Sequence, residues 1–178
     1  MKKILLSVSL LISINVKSQV RELNIVDLLK TENDSNISVF YLTAHWCHPC
    51  MEKLPEVQKL KMKYPQVKFY FIFDSFHDTK KYVAKIYEII DSVDYYVFPK
   101  KYYPPKKTRV VNIRAGSSSN MINKFRDDIE ENKLFKFNKD DIWFGHAIIK
   151  AHGKIYLTIN DEQQKFIEEL ENYLISSQ

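Results

Sequence analysis

The chain has 178 residues, of which 45% are hydrophobic and 13% aromatic, and it carries a formal charge of +5 at pH 7. This length and apolar content are typical of one globular domain with a sizeable core, and they exclude an intrinsically disordered chain. Three lysines among the first 17 residues account for most of the excess charge, because the other 24 basic residues face 22 acidic ones. So small an excess of positive charge gives no support to a nucleic-acid partner.

The N-terminal segment has the pattern of a secretory signal peptide. Lys2 and Lys3 precede the apolar run 4–14, which is interrupted by serines and is shorter than the roughly 20 residues needed to cross a bilayer. Ser18 is a suitable small residue before a cleavage point, so residues 1–18 are predicted to be removed. An uncleaved membrane anchor is the alternative. We expect an exported protein, periplasmic or extracellular, that is soluble after cleavage and has no transmembrane segment in the mature chain.

The next part of the chain predicts a β-α-β unit. A short amphipathic helix at 25–29 is followed by a polar loop and by the apolar run 37–43, which predicts a buried strand. From His48 onward, apolar residues recur at steps of three and four, the period of one helix face, until Pro65 ends the helix. Alternation and aromatic residues over 67–73 predict a second strand. Two strands joined by a helix imply parallel pairing with a right-handed crossover.

The middle of the chain is less regular. Apolar residues between 83 and 90 indicate a helix that Asp78 could cap. The stretch Gly116–Asn120 is predicted to be a loop, whose last residues cap a further helix that continues to about Glu131.

The C-terminal part predicts a hairpin and a last helix. Residues 147–150 and 155–159 flank a turn at Gly153 and should pair in antiparallel fashion. Asn160 or Asp161 then begins the terminal helix. Its buried stripe is predicted to consist of Phe166, Ile167, Leu170, Tyr173 and Leu174.

The chain has two cysteines, Cys47 and Cys50, which follow the first predicted strand and open the helix after it. A disulfide across so short a loop restrains little unfolded-chain entropy, since the stabilisation grows with the length of the loop closed. Zinc sites use the same spacing, but they normally need four ligands and usually a second pair of cysteines. The pair therefore predicts redox chemistry.

The surrounding residues suggest a role for each sulfur. Cys47 lies where unpaired backbone N–H groups and the helix macrodipole favour a thiolate, so it should be the attacking cysteine, while Cys50, one turn inside, should be the resolving one. His48 adds a cationic or hydrogen-bonding group beside the thiolate. Pro49 preorganises the first helical turn. Trp46 is expected to pack over the site and to line the surface that faces the substrate.

The motif WCHPC at 46–50, followed by Pro55, lies in a segment (37–73) that resembles the thioredoxin-fold superfamily. Within it, the motif is similar to that of exported thiol-disulfide oxidoreductases of the bacterial envelope, the TlpA and ResA type. The resemblance implies an α/β fold of three layers, thioredoxin-like, with a central mixed β-sheet flanked by helices. It also implies a single domain over 19–178, with an insertion in the middle of the chain at about 76–141.

The same resemblance implies a function. It predicts dithiol/disulfide exchange with cysteine-containing protein substrates. It also predicts a membrane or envelope redox donor as a second partner. The Cys47/Cys50 disulfide would be the redox centre, with no other cofactor and no metal.

The chain departs from the thioredoxin pattern at the residue that assists the resolving cysteine. Thioredoxins carry a buried acid six positions before the first cysteine, and this position is Tyr41 here. The proton acceptor for Cys50 is therefore unassigned, with Glu52 the nearest carboxylate in sequence.

A second departure concerns the loop opposite the cysteines. The fold places a cis-proline there, just before the C-terminal hairpin, and counting back from the hairpin turn puts Gly145 at this position, with Pro99 as the competing assignment. Phe144, Gly145 and His146 are thus expected to form the substrate groove.

Two other functions remain open from the sequence. Cys47, Cys50 and His146, with His48 as a further candidate, are a soft ligand set suited to Cu(I) or Zn. Such a protein would resemble the Sco-type copper chaperones, which space their cysteines one residue wider.

The other alternative is a binding module without turnover. Its contact surface would be the basic aromatic stretch 95–109, for which an exposed insertion loop is the competing interpretation. The basic residues of this stretch are Lys100, Lys101, Lys106, Lys107 and Arg109.

Overall fold

The computed structural model describes residues 21–31, 36–74, 86–90, 95–103, 114–137, 143–158 and 163–177, and for 114–119 the backbone alone. The strands in these ranges are β1 (Arg21–Glu22), β2 (Ser38–Thr43), β3 (Lys68–Phe73), β4 (Tyr95–Val97), β5 (Ala147–Ala151) and β6 (Lys154–Leu157). They form one mixed sheet in the order β1-β4-β3-β2-β5-β6. The first four strands of that order pair in parallel, and β5 and β6 are antiparallel to their neighbours.

Helices cover both faces of this sheet. They are α1 (Ile25–Thr31), α2 (His48–Lys63), α3 (Arg114–Glu131) and α4 (Gln163–Ser176). One core cluster contains buried residues of α2 and α4, and a second contains those of α1 and α3. Strand β2 contributes to both clusters, because successive side chains point to opposite faces: Tyr41 belongs to the first and Phe40 to the second. The predicted three-layer α/β fold is confirmed.

The β2-α2-β3 unit follows the predicted pattern closely. Every residue of β2 is buried, as expected for a central strand with a layer on each side. Helix α2 buries Cys50, Leu54 and Val57 and ends at Lys63, just before the predicted stop. The N–H of Tyr64, the C-cap residue, donates to Leu60 O at 2.9 Å. Because β2 and β3 run in parallel, their carboxyl ends meet at one edge of the sheet, and antiparallel β5 begins at that same edge.

The predicted hairpin is also confirmed. Ala151 pairs with Lys154, and the two residues between them, His152 and Gly153, have φ values of 49° and 71°. Two consecutive positive φ angles are those of a type I′ turn, which matches the twist of the flanking strands. The terminal helix buries Phe166, Leu170 and Leu174 fully, while Ile167 and Tyr173 are partly buried.

The predicted loop at Gly116–Asn120 is wrong, because the backbone is helical from Arg114 to Glu131. Glycine costs a helix roughly 1 kcal/mol relative to alanine, and serine less. Burial of a continuous apolar face farther along α3 outweighs this local preference, since most helix stability in proteins comes from packing. That face consists of Met121, Ile122, Phe125 and Ile129.

The interpretation of 95–109 as an exposed loop is wrong for residues 95–103. Strand β4 lies between β1 and β3, and its residues Tyr95 and Val97 are buried in the core cluster that α2 and α4 cover. Two lysines of the competing contact-surface interpretation are exposed and form ion pairs within the chain, because Lys100 pairs with Glu22 at 3.0 Å and Lys101 pairs with Asp128. Residues 104–110 lie outside the described ranges.

Several predictions fall on residues that the structure does not describe. They are the signal peptide at 1–18, the first three residues of the helix at 83–90 with its cap Asp78, and the start of the terminal helix at Asn160 or Asp161. The single domain over 19–178 and its insertion at 76–141 stay predictions. None of the helices in the described ranges is both long and apolar enough to span a bilayer.

Candidate active site at the Cys47–Cys50 disulfide

Cys47 and Cys50 are joined by a disulfide at the N-terminus of α2. A turn after β2, closed by the hydrogen bond from Cys47 N–H to Ala44 O at 3.0 Å, brings Cys47 to the N-cap position. Cys47 is partly exposed, whereas Cys50 is completely buried. A substrate sulfur can therefore reach Cys47, and the free N–H groups of the first helical turn stabilise negative charge there.

His48 and Pro49 occupy the first turn of α2. Pro49 is exposed and stands where no intrahelical N–H is required, in keeping with its predicted role. The His48 side chain is 84% exposed, and its Nδ1 lies 3.3 Å from Glu52 Oε1, one turn farther along. Glu52 is thus on the outer face of α2 with His48, so this carboxylate does not lie behind the disulfide as a proton acceptor for Cys50.

Trp46 stands beside the disulfide in a fixed orientation. Its indole N–H donates to Asp74 Oδ2 at 3.1 Å, and its ring meets Phe144 edge-on at 5.4 Å between centroids. Trp143 also contacts Phe144 edge-on, at 6.2 Å between ring centroids. Both tryptophans are 39% exposed, so they form an accessible aromatic surface next to Cys47.

The sequence prediction missed Asp74, the carboxylate that orients Trp46. Asp74 is completely buried and directly follows β3, and its N–H donates to Thr43 O at 3.0 Å. The position of Asp74 in the sequence could have identified it. A polar residue at the carboxyl end of a parallel strand lies at the same edge of the sheet as the cysteines that follow β2.

Gly145 lies over Cys50 from the other side. A Cβ on this glycine would stand 3.4 Å from Cys50 Sγ. Its φ of 93°, with the hydrogen bond from His146 N–H to Trp143 O at 3.3 Å, is that of the third residue of a type II turn. The turn is tied to β2, because Gly145 N–H donates to Leu42 O at 2.7 Å. The described peptide bonds are all trans.

The residues predicted for the groove are therefore near the disulfide. Phe144 packs against Trp46, Gly145 approaches Cys50, and His146 is buried at 5% exposure. Pro99, the competing assignment for the position opposite the cysteines, instead precedes a 3₁₀ turn at Lys100–Tyr102.

Two residues lie behind Cys50: Tyr41, at the predicted position of the missing acid, and Lys53, which the sequence prediction did not place in the site. The hydroxyl of Tyr41 donates to the Cys50 carbonyl at 2.8 Å, and burial raises the pKa of this tyrosine well above its usual value. Lys53 is 2% exposed, and its Nζ lies 3.5 Å from Gly145 O and 4.7 Å from the Phe166 ring centroid. Lys53 was missed because a lysine on a helix suggests a solvated side chain. The signal that could have identified it is its spacing, because a residue three positions after Cys50 lies on the same helix face.

Tyr41→Phe should destabilise the protein by about 1 kcal/mol, because the buried Cys50 carbonyl loses a donor. The difference from wild type should shrink as the pH rises above 10.0, the usual pKa of tyrosine. Above that pH an unfolded tyrosine ionises while the buried one stays protonated, so the wild type loses stability that the variant keeps. Urea unfolding at pH 7 and at alkaline pH measures both effects; an unchanged difference at high pH would contradict the second.

The geometry gives the metal alternative no support. His48 points to solvent beside Glu52, while His146 is buried. Across the residues that the structure describes, no group of three or more histidine, cysteine, aspartate or glutamate side chains is arranged to hold a metal ion.

Comparison with known proteins finds short sequence similarity and broad structural similarity. No protein-family model matches the chain. Mitochondrial thioredoxin O of Oryza sativa subsp. japonica is 42% identical over 41 residues, which are 23% of this chain and 24% of that protein. The match thus spans about a quarter of the curated relative.

Three solved structures represent the structural similarity. A thioredoxin-like protein in its oxidised form has a TM-score of 0.50 at 11% identity, over 83% of each chain. A thiol:disulfide interchange protein of the thioredoxin family from Chlorobium tepidum TLS scores 0.46 at 10% identity, over 79% of this chain and 80% of that one. StoA from Bacillus subtilis scores 0.42 at 13% identity, over 80% and 84%. With the strand order and helix layers above, the first of these similarities shows that the chain has a thioredoxin-like fold, with a disulfide-bonded Cys-x-x-Cys pair at the start of α2.

Proposed function

We propose that this protein is an exported thiol-disulfide oxidoreductase of the TlpA and ResA type, which exchanges dithiols and disulfides with protein substrates through Cys47 and Cys50. The observation that carries the proposal is the asymmetry of the disulfide: Cys47 is accessible at a helix N-terminus, and Cys50 is buried behind it. A purely structural disulfide has no need of this arrangement, whereas exchange requires one sulfur that a substrate can reach.

The exchange can be followed bond by bond from the oxidised state. A substrate thiolate attacks Cys47 Sγ, so a substrate–Cys47 disulfide forms and the Cys47–Cys50 bond breaks. A second substrate thiolate then attacks the substrate sulfur, which releases oxidised substrate and leaves two reduced cysteines on the protein. Run in reverse, the same steps reduce a substrate disulfide. The disulfide itself serves as the redox group, and the direction depends on its reduction potential relative to the donor.

The surface around Cys47 suits an extended cysteine-containing peptide. Trp46 and Trp143 supply apolar contact area, and the turn containing Phe144, Gly145 and His146 forms the other wall. Gly145 carries no side chain, so a substrate backbone can approach the sulfurs closely. We assign these three residues to the substrate groove and Trp46, His48 and Pro49 to supporting roles.

Export rests on the signal peptide predicted at residues 1–18. An oxidising compartment, periplasmic or extracellular, would keep the pair in the disulfide form between turnovers. A membrane or envelope redox donor would then be required for a reductase.

Turnover of a peptide disulfide by the purified protein tests the proposal. The reduced protein should convert a disulfide-bonded peptide to its dithiol, or the oxidised protein should do the reverse, at a rate well above that of the uncatalysed exchange. Protein whose cysteines have been alkylated is the matched control. Rates equal to that control in both directions would refute the proposed activity.

A further inference from the structure

Lys53 is a buried lysine behind the redox pair. Only 2% of it is exposed, and its Nζ approaches the carbonyl of Gly145 at 3.5 Å and the ring of Phe166 at 4.7 Å. An ammonium group removed from water is costly unless polar or charged groups compensate for the lost hydration. The carbonyl dipole and the aromatic face supply part of that compensation.

Cys50 Sγ borders the same small space. A Cβ on Gly145 would lie 3.4 Å from Cys50 Sγ and 3.7 Å from Lys53 Nζ, so both atoms line the gap that the glycine leaves. The two residues are also three apart on α2, the spacing of neighbours on one helix face. Because residue 145 has no side chain, the flexible lysine can approach the sulfur when the disulfide opens.

We propose that Lys53 is the counter-charge for the thiolate that forms on Cys50 during exchange. This inference rests on the proposed function and adds to it. When a substrate thiolate attacks Cys47 Sγ, the Cys47–Cys50 bond breaks and its electron pair remains on Cys50 Sγ. Water cannot solvate this buried anion, and the Lys53 ammonium stabilises it instead. In the reverse step, Cys50 is already a thiolate and attacks Cys47 without a carboxylate to deprotonate it.

This arrangement replaces the missing acid near the resolving cysteine. Tyr41, at the position of that acid, donates to the backbone of Cys50 and has its pKa raised by burial, so it does not accept a proton. Among the described residues, Tyr41 from β2 contacts the Cys50 backbone, and His146, which follows Gly145, is a second buried titratable residue. Stabilising the reduced form also makes the disulfide a stronger oxidant.

The reduction potential of the cysteine pair tests the proposal. Lys53→Met keeps most of the length of the side chain and removes its charge. Equilibration with glutathione should show the variant shifted at least tenfold toward its oxidised form, which corresponds to a potential about 30 mV more negative. Lys53→Arg keeps the positive charge, so its reduction potential should stay close to the wild-type value. Lys59→Met is the control, because Lys59 lies on the same helix, is 65% exposed and pairs with Glu56 outside the site. Equal potentials for wild type and Lys53→Met would overturn the proposal.

A second measurement leaves Lys53 in place and so does not depend on the folding of its variants. In Cys47→Ser the remaining thiol is Cys50, and its ionisation can be followed by ultraviolet thiolate absorbance. We expect the Cys50 thiolate to form well below pH ~8.5, the value of a free cysteine. A midpoint at or above that value would also overturn the proposal. Neither measurement requires substrate turnover, so failure of this proposal is distinguishable from failure of the proposed activity.

Discussion

Cys47→Ser is expected to reduce turnover of disulfide or dithiol peptides to the uncatalysed rate. Cys47 is the sulfur at the N-terminus of α2 that a substrate can reach, and a serine hydroxyl neither ionises near neutral pH nor forms a disulfide. The four-residue loop closed by the disulfide limits its entropic contribution to about 2 kcal/mol, so the variant should stay folded. Peptide turnover and circular dichroism, measured on the same preparation, separate lost chemistry from lost structure.

Cys50→Ser should fail at a different step and so serves as the matched comparison. Cys47 remains able to attack a substrate disulfide, but no resolving thiol is left to release the product. A covalent protein–substrate disulfide should therefore accumulate, and mass spectrometry of the unreduced protein detects it. Sustained turnover by Cys47→Ser, or the same trapped species in both variants, would show that the roles of the two sulfurs are wrongly assigned.

Gly145→Pro is expected to destabilise the protein by at least 3 kcal/mol. Proline holds φ near −65°, whereas Gly145 has a φ of 93°. Proline also lacks the N–H that donates to Leu42 O at 2.7 Å and ties the turn to β2. The residue that thioredoxins carry opposite their cysteines is thus incompatible with the backbone of this turn. Urea unfolding of the oxidised protein measures the loss.

Gly145→Ala separates the effect of the positive φ from the effect of the lost N–H. Alanine keeps the N–H, and its Cβ would meet Cys50 Sγ at 3.4 Å, an ordinary contact. The remaining cost is that of a positive φ in a residue with a side chain, about 1–2 kcal/mol. If Gly145→Pro destabilises the protein no more than Gly145→Ala does, then the hydrogen bond to Leu42 does not hold this turn in place.

The β-α-β unit was predictable because each of its signals is local. The apolar run of β2, the three-and-four spacing of α2 and the alternation of β3 lie within 37 consecutive residues, and the helix ends just before Pro65. Elements that depend on distant packing were harder to predict. Strand β4 has three residues, and it is a strand because β1 and β3 flank it. The N-terminal part of α3 has weak helix formers, and its predicted loop was wrong.

The candidate site likewise contains residues that local sequence predicts and residues that only distant packing brings together. The cysteines, Trp46 and the proline of the first turn lie on five consecutive residues, so their proximity follows from the sequence. Asp74, by contrast, reaches Trp46 because two parallel strands end at one edge.

The amino-acid sequence by itself determined the redox pair, the strand before it and the helix after it, because short-range periodicity and helix-terminus chemistry act between neighbouring residues. The tertiary structure alone decided which charged side chain is buried behind Cys50. Lys53 contacts Gly145, 92 residues away, and lies under the ring of Phe166 from α4. Burial of a charged side chain depends on which distant segments cover it, and no local pattern in a helix carries that information.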